Sequence, residues 1–90
     1  MLQTISITVE GRVQGVFYRQ SAHENARLLG ICGTVRNLPN GKVELVATGT
    51  RAQLEQLFEW CKQGPPRAAV NSIQWKDEAL QLFEGFRVLR

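Results

Sequence analysis

The chain carries two hydrophobic periods, and that limits its folds more than any other feature. Residues 3 to 10 alternate strictly: Ile5, Ile7 and Val9 face one way, and Thr4, Ser6, Thr8 and Glu10 the other. A period of two is that of a strand with one buried face. Further on, Leu54, Leu57, Phe58 and Cys61 recur at i, i+3, i+4 and i+7. They follow Thr50-Arg51-Ala52-Gln53, which matches a helix-starting capping box. A chain with both periods has to combine a sheet with helices. Ninety residues allow one small core, hiding roughly 64% of the surface of the unfolded chain. A single domain over residues 1–90 is expected.

The remaining segments complete the order. Residues 11 to 19 break the alternation and read as a loop. A helix is predicted over about 20–29, with Ala22, Ala26 and Leu29 on one stripe and Gly30 as its stop. Cys32 to Leu38 reads as a strand. Pro39-Asn40-Gly41 is a turn, and Lys42 to Thr48 is a strand with Val43, Leu45 and Ala47 on one face. Gly64-Pro65-Pro66 ends the second helix. Val70 to Lys76, with Ile73 and Trp75 on one face, is a strand, and Phe83 to Leu89 a last short one. The order β-α-β-β-α-β, with an extra short strand at the end, makes an α+β, ferredoxin-like sandwich: an antiparallel sheet with two helices on one face. That fold hosts enzymes, RNA binders and ligand sensors alike, so function must come from particular residues.

Composition removes several classes. The hydrophobic share of 43% and charged share of 21% are those of an ordinary globular protein. No apolar run reaches the ~18 residues of a membrane span. MLQTISITVE lacks the continuous apolar core of a signal peptide, so a cytoplasmic protein is expected. Cys32 and Cys61 form no CxxC or Cys/His cluster, and one histidine, His23, cannot build a metal site. We read the cysteines as small apolar side chains, not as a disulfide. His23 reads as an exposed helix residue. Ser6, Ser21 and Ser72 lie in no GxSxG context, and no Walker-type loop is present.

The charge is uneven. Residues 11 to 43 hold five basic residues (Arg12, Arg19, Arg27, Arg36 and Lys42) against one acid, Glu24. Six basic and seven acidic residues lie outside. That basic third begins with Gly11-Arg12-Val13-Gln14-Gly15-Val16-Phe17-Tyr18-Arg19, between a strand and a helix start. A helix N-terminus offers unpaired N–H groups and the positive end of a dipole, and a loop in front of it can add more. Arg19 could grip a phosphate with two N–H groups. Two readings stand: a cradle for a phosphate-like anion, or a tight loop whose glycines serve geometry alone. The apolar Val16-Phe17-Tyr18 run, expected to pack inward and stiffen the loop, favours the first. Asn37 likewise reads either as a turn-starting polar residue or as a site residue. Arg36 reads as a solvated strand residue adding to the local positive field.

GRVQGVFYR in this position resembles the signature loop of the acylphosphatase family. A second signature follows: Gly33-Thr34-Val35-Arg36-Asn37, a turn, then Gly41-Lys42-Val43-Glu44. The resemblance covers nearly the whole chain. It implies hydrolysis of acyl phosphates to carboxylate and inorganic phosphate, with no metal or cofactor. It implies that backbone N–H groups of Gln14, Gly15, Val16, Phe17, Tyr18 and Arg19 hold the phosphoryl oxygens. It further implies that the Arg19 side chain binds the same group and that Asn37 positions the attacking water. Tyr18 stands where phenylalanine is usual, and Thr34 where an aromatic is common.

Two other readings remain. An RNA-binding module on this fold would stack bases on strand aromatics, but residues 4–10 and 42–48 hold none. A non-catalytic acyl- or carbamoyl-phosphate-binding domain is the other. The expected partner is a small acyl phosphate, with neither nucleic acid nor membrane, and the expected state is a monomer.

Overall fold

The computed structural model describes residues 1–90. Strand β1 spans Gln3–Arg12, helix α1 Tyr18–Leu29, β2 Cys32–Asn37 and β3 Val43–Gly49. Helix α2 spans Arg51–Gln63, β4 Ala69–Glu78 and β5 Phe86–Val88. The sheet order is β4-β1-β3-β2-β5. β1, the alternating strand, sits between β3 and β4, antiparallel to both.

Register explains the core. Ile5 pairs with Ala47, Ile7 with Leu45 and Val9 with Val43, while Leu45 also pairs with Val35. Partners in register point to the same face, so these apolar side chains form one floor. Ala22 and Ala26 of α1 and Leu54, Leu57 and Cys61 of α2 are buried in the same cluster. Both helices therefore cover one face. Thr8 and Glu44, paired on the other face, stay polar and partly open.

The Thr50 capping box forms. Thr50 Oγ1 accepts from the Gln53 N–H at 3.2 Å, and Gln53 Oε1 accepts from the Thr50 N–H at 2.8 Å. The Gln53 amide also donates to the Leu29 carbonyl at 2.9 Å, tying the start of α2 to the end of α1. Tyr18 and Trp60 pack between the helices with ring centroids 5.4 Å apart. Phe58 of α2 meets Trp75 of β4 edge-on at 5.3 Å.

Three expectations change. First, β1 runs to Arg12 and α1 begins at Tyr18, so the loop is five residues, 13–17, and not nine. Second, the final strand is Phe86–Val88 only. Residues 79–85 cross the end of the sheet instead of extending it. The Gln81 N–H donates to Thr4 Oγ1 at 2.9 Å, and Thr4 Oγ1 and Thr48 Oγ1 share a bond of 2.6 Å. Third, after that crossing β5 arrives parallel to β2, so the sheet is mixed and not wholly antiparallel. The cysteines are free, as read: Cys61 buried, Cys32 half-buried.

Cys61 and Tyr18 link α2 to the loop. Tyr18 is buried, and its hydroxyl donates to the Cys61 carbonyl at 2.8 Å. The residue four beyond Cys61 is Pro65, which has no N–H to give that carbonyl. Burial pushes the Cys61 thiol from 9.0 up to about 12 and raises the Tyr18 hydroxyl well above its ordinary value. Both folded-state values lie above the unfolded ones. The Cys61 contribution to stability is thus complete below about pH 9 and is lost as pH rises toward 12, while that of Tyr18 begins to fall only above about pH 10. We predict that the wild type loses more unfolding free energy than Cys61→Ala between about pH 8 and about pH 11. Urea titrations at the two pH values check this, and equal losses would overturn it.

Candidate anion-binding site

The five-residue loop is shaped from both ends. At its entry β1 bulges between Glu10 and Gly11. A Cβ at Gly11 would lie 2.2 Å from the Ala69 carbonyl oxygen, so only glycine fits the bulge. Within the loop Val13 and Val16 are buried, and Tyr18 beyond it reaches the core. Gly15 and Phe17 have positive φ, 75° and 64°. These two left-handed residues curl the chain around Val16. Phe17 differs from the inward-packing expectation: it is 68% exposed. The left-handed turn at 17 leaves only its two neighbours directed to the core.

None of the backbone N–H groups from Gly15 to Gln20 donates to a protein acceptor; the first helical bond is from Ser21 to the Phe17 carbonyl. Helix α1 has no side-chain cap and no acid in its first turn. Its positive end is therefore not neutralised locally, which is the condition for attracting an anion.

The Gln14 side chain has a task that its position does not announce. Its side-chain amide donates to the carbonyls of Leu38 at 2.9 Å and Lys42 at 3.0 Å. These carbonyls belong to the turn that follows Asn37. The Lys42 N–H binds Asn40 Oδ1 at 3.0 Å, and the Leu38 N–H binds the Lys42 carbonyl at 2.8 Å. Gln14 thus fastens the loop to the end of β2.

In front of the loop lies a cavity of about 390 Å³ lined by Gly15, Phe17, Tyr18, Arg19, Gln20, His23, Asn37, Val88 and Arg90. Two arginines and no carboxylate side chain border it. Arg19 Nη1 donates to the Leu89 carbonyl at 2.9 Å, and the Leu89 N–H is held by the Val35 carbonyl at 2.8 Å. The last strand thereby steadies Arg19, which pairs with no acid. Arg36 does pair, with Glu44 at 2.9 Å, so its charge is largely offset and adds little field. Asn37 Oδ1 is the one buried side-chain polar atom in the molecule without a hydrogen-bond partner. Such an atom is unfavourable unless water or a ligand completes it.

Five of the residues singled out from sequence line this cavity: Gly15, Phe17, Tyr18, Arg19 and Asn37. Gln14 and Val16 do not; they support the loop from behind. His23, expected to be exposed, is half-buried, with its ring 6.3 Å from that of Phe86. Its spacing of four from Arg19 puts both on one helix face, a signal the sequence did contain. Val88 and Arg90 arrive through the parallel pairing of β5 with β2, which no local pattern announces.

Comparison with known proteins agrees with this geometry. The family profile described as acylphosphatase matches residues 5–88. The acylphosphatase of Acaryochloris marina is 46% identical over 96% of this chain and 92% of its own. That of Marinobacter nauticus is 50% identical over 90% and 89%. The acylphosphatase structure from Coxiella burnetii superposes with a TM-score of 0.94 at 43% identity, covering 98% of this chain and 93% of that one.

The clamp yields a test. Gln14→Leu removes both donors while keeping the volume. The expected loss is about 1–3 kcal/mol of unfolding free energy, read from a urea titration. An unchanged midpoint would show that Gln14 holds nothing.

Proposed function

We infer the roles of single residues from one premise: the chain belongs to the acylphosphatase family, and it hydrolyses the carboxyl–phosphate bond of acyl phosphates. The observation that carries the residue assignment is the partnerless Asn37 Oδ1 on the same cavity as Arg19 and the open N–H groups of the loop.

The phosphoryl oxygens rest on the N–H groups at the start of α1 and on the Arg19 guanidinium. Water donates a hydrogen bond to Asn37 Oδ1, which aims its oxygen at phosphorus. The new P–O bond forms as the bond to the acyl oxygen breaks. The electron pair leaves with the carboxylate, and a phosphate oxygen takes the water proton. A carboxylate is a stable leaving group, so no strong general acid is called for. A loose phosphoryl-transfer transition state asks mainly for position and charge stabilisation. A neutral asparagine fits that demand, since it accepts a hydrogen bond without titrating. No step calls for a metal or cofactor.

A small acyl phosphate is the partner, and a single-domain monomer in the cytoplasm is the state we propose. No helix is long and apolar enough to cross a membrane. An RNA-binding reading has little support, because Trp75 pairs with Ile7 on the helix-covered side of the sheet.

The decisive assay is phosphate release from acetyl or benzoyl phosphate in the presence of EDTA. Turnover should persist; its absence, or its abolition by the chelator, would sink the reading. Arg19→Gln and Asn37→Ala should each lower kcat by ~100-fold or more. The Asn37 variant should still bind inorganic phosphate in calorimetry, whereas the Arg19 variant should bind it weakly. Equal loss of phosphate binding in both would refute the division of roles.

A further inference from the structure

Phe17 is an aromatic residue in a conformation that does not suit it. Its φ of 64° and ψ of 25° lie in the left-handed region, where a side chain with a Cβ is disfavoured and glycine or asparagine is at ease. The ring gains nothing from the core to offset this. It is 68% exposed and takes part in none of the aromatic pairs of the molecule, while Val16 and Tyr18 on either side are buried. An exposed phenylalanine is ordinary by itself. One held in left-handed backbone, in the loop that borders the cavity, is not explained by folding.

Its place supplies an explanation. Phe17 and Val88 put apolar groups on the same cavity that Arg19, Gln20, Asn37 and Arg90 line with polar and charged ones. An acyl phosphate combines the same two chemistries, an anionic head and an acyl tail. The Phe17 N–H belongs to the row without a protein acceptor, and the Phe17 ring leaves the chain from that same residue. A phosphate held by that row brings its acyl tail to the residue that carries the ring. An acetyl tail, with one methyl, is too short to cover a ring. A flat or branched apolar tail is not.

We propose that Phe17, with Val88, forms a subsite for the acyl group, and that the enzyme favours acyl phosphates with aromatic or bulky apolar tails. This rests on the phosphate-cradle reading given above. Stacking of an aromatic tail on an exposed ring corresponds to about a three- to tenfold preference.

The test compares kcat/KM for benzoyl phosphate and acetyl phosphate in the full chain, for the wild type, Phe17→Gly and Phe17→Asn. Both replacements suit the left-handed backbone, so both should fold, as unfolding midpoints will verify. The expected result is that the benzoyl-to-acetyl ratio falls about three- to tenfold in both variants, chiefly through KM for benzoyl phosphate. A ratio that stays at the wild-type value, with both substrates slowed together, would overturn the subsite and leave Phe17 acting only through loop shape. A fall with glycine but not with asparagine would overturn it too, since loop mobility would then be the cause. Failure of the wild type on both substrates is a separate result: it removes the cradle reading itself and this inference with it.

Discussion

Val13, Val16 and Tyr18 are anchored below a loop whose N–H groups, from Gly15 to Gln20, have no protein acceptor above, and the site depends on that separation of tasks. A backbone used to bind an anion cannot also be held by its own hydrogen bonds. Rigidity has to come from elsewhere. Here it comes from the three buried side chains, from the bulge at Gly11 and from the two bonds of the Gln14 amide. Preorganised donors of this kind stabilise charge without first having to reorganise.

The same economy governs the charges. The cavity has two arginines and no carboxylate side chain, and Arg19 is oriented by a neutral carbonyl instead of an acid. A carboxylate partner would orient a guanidinium as well, but it would also cancel the charge needed by a dianionic substrate. Arg36, one residue before Asn37, illustrates the alternative: it is paired with Glu44 and lies outside the cavity. The excess positive charge of residues 11–43 is thus focused by pairing some cations and leaving others free.

Local physics made much of this legible in the sequence. Alternation in residues 3–10 and the Thr50 capping box are readable because both involve neighbours along the chain. That Arg19 and Asn37 border one cavity follows from the fold; in the sequence they stand out through resemblance, and Asn37 hardly at all through its own position. Other features depend on distant partners. Gln14 reaches carbonyls 24 and 28 residues away, so its role as a clamp had no local trace. Phe17 departs from the pattern because an apolar run suggests burial of every member, whereas a left-handed residue in the middle reverses one of them. The parallel β5 was hidden because Gln81, not a strand, carries the chain across the sheet.

The bond from Arg19 to Leu89 spans 70 residues of sequence, and β5 is only three residues long. The arrangement around Arg19 is therefore complete only after this distant segment has docked. Contacts this remote close late and open early, because their loop entropy is large and their own buried area small. Fraying of β5 would disarm Arg19 while the helices and central strands stay intact. By linkage, an anion held by Arg19 as proposed would draw β5 onto the sheet. Occupancy of the cavity and order of β5 would then be two readings of one equilibrium.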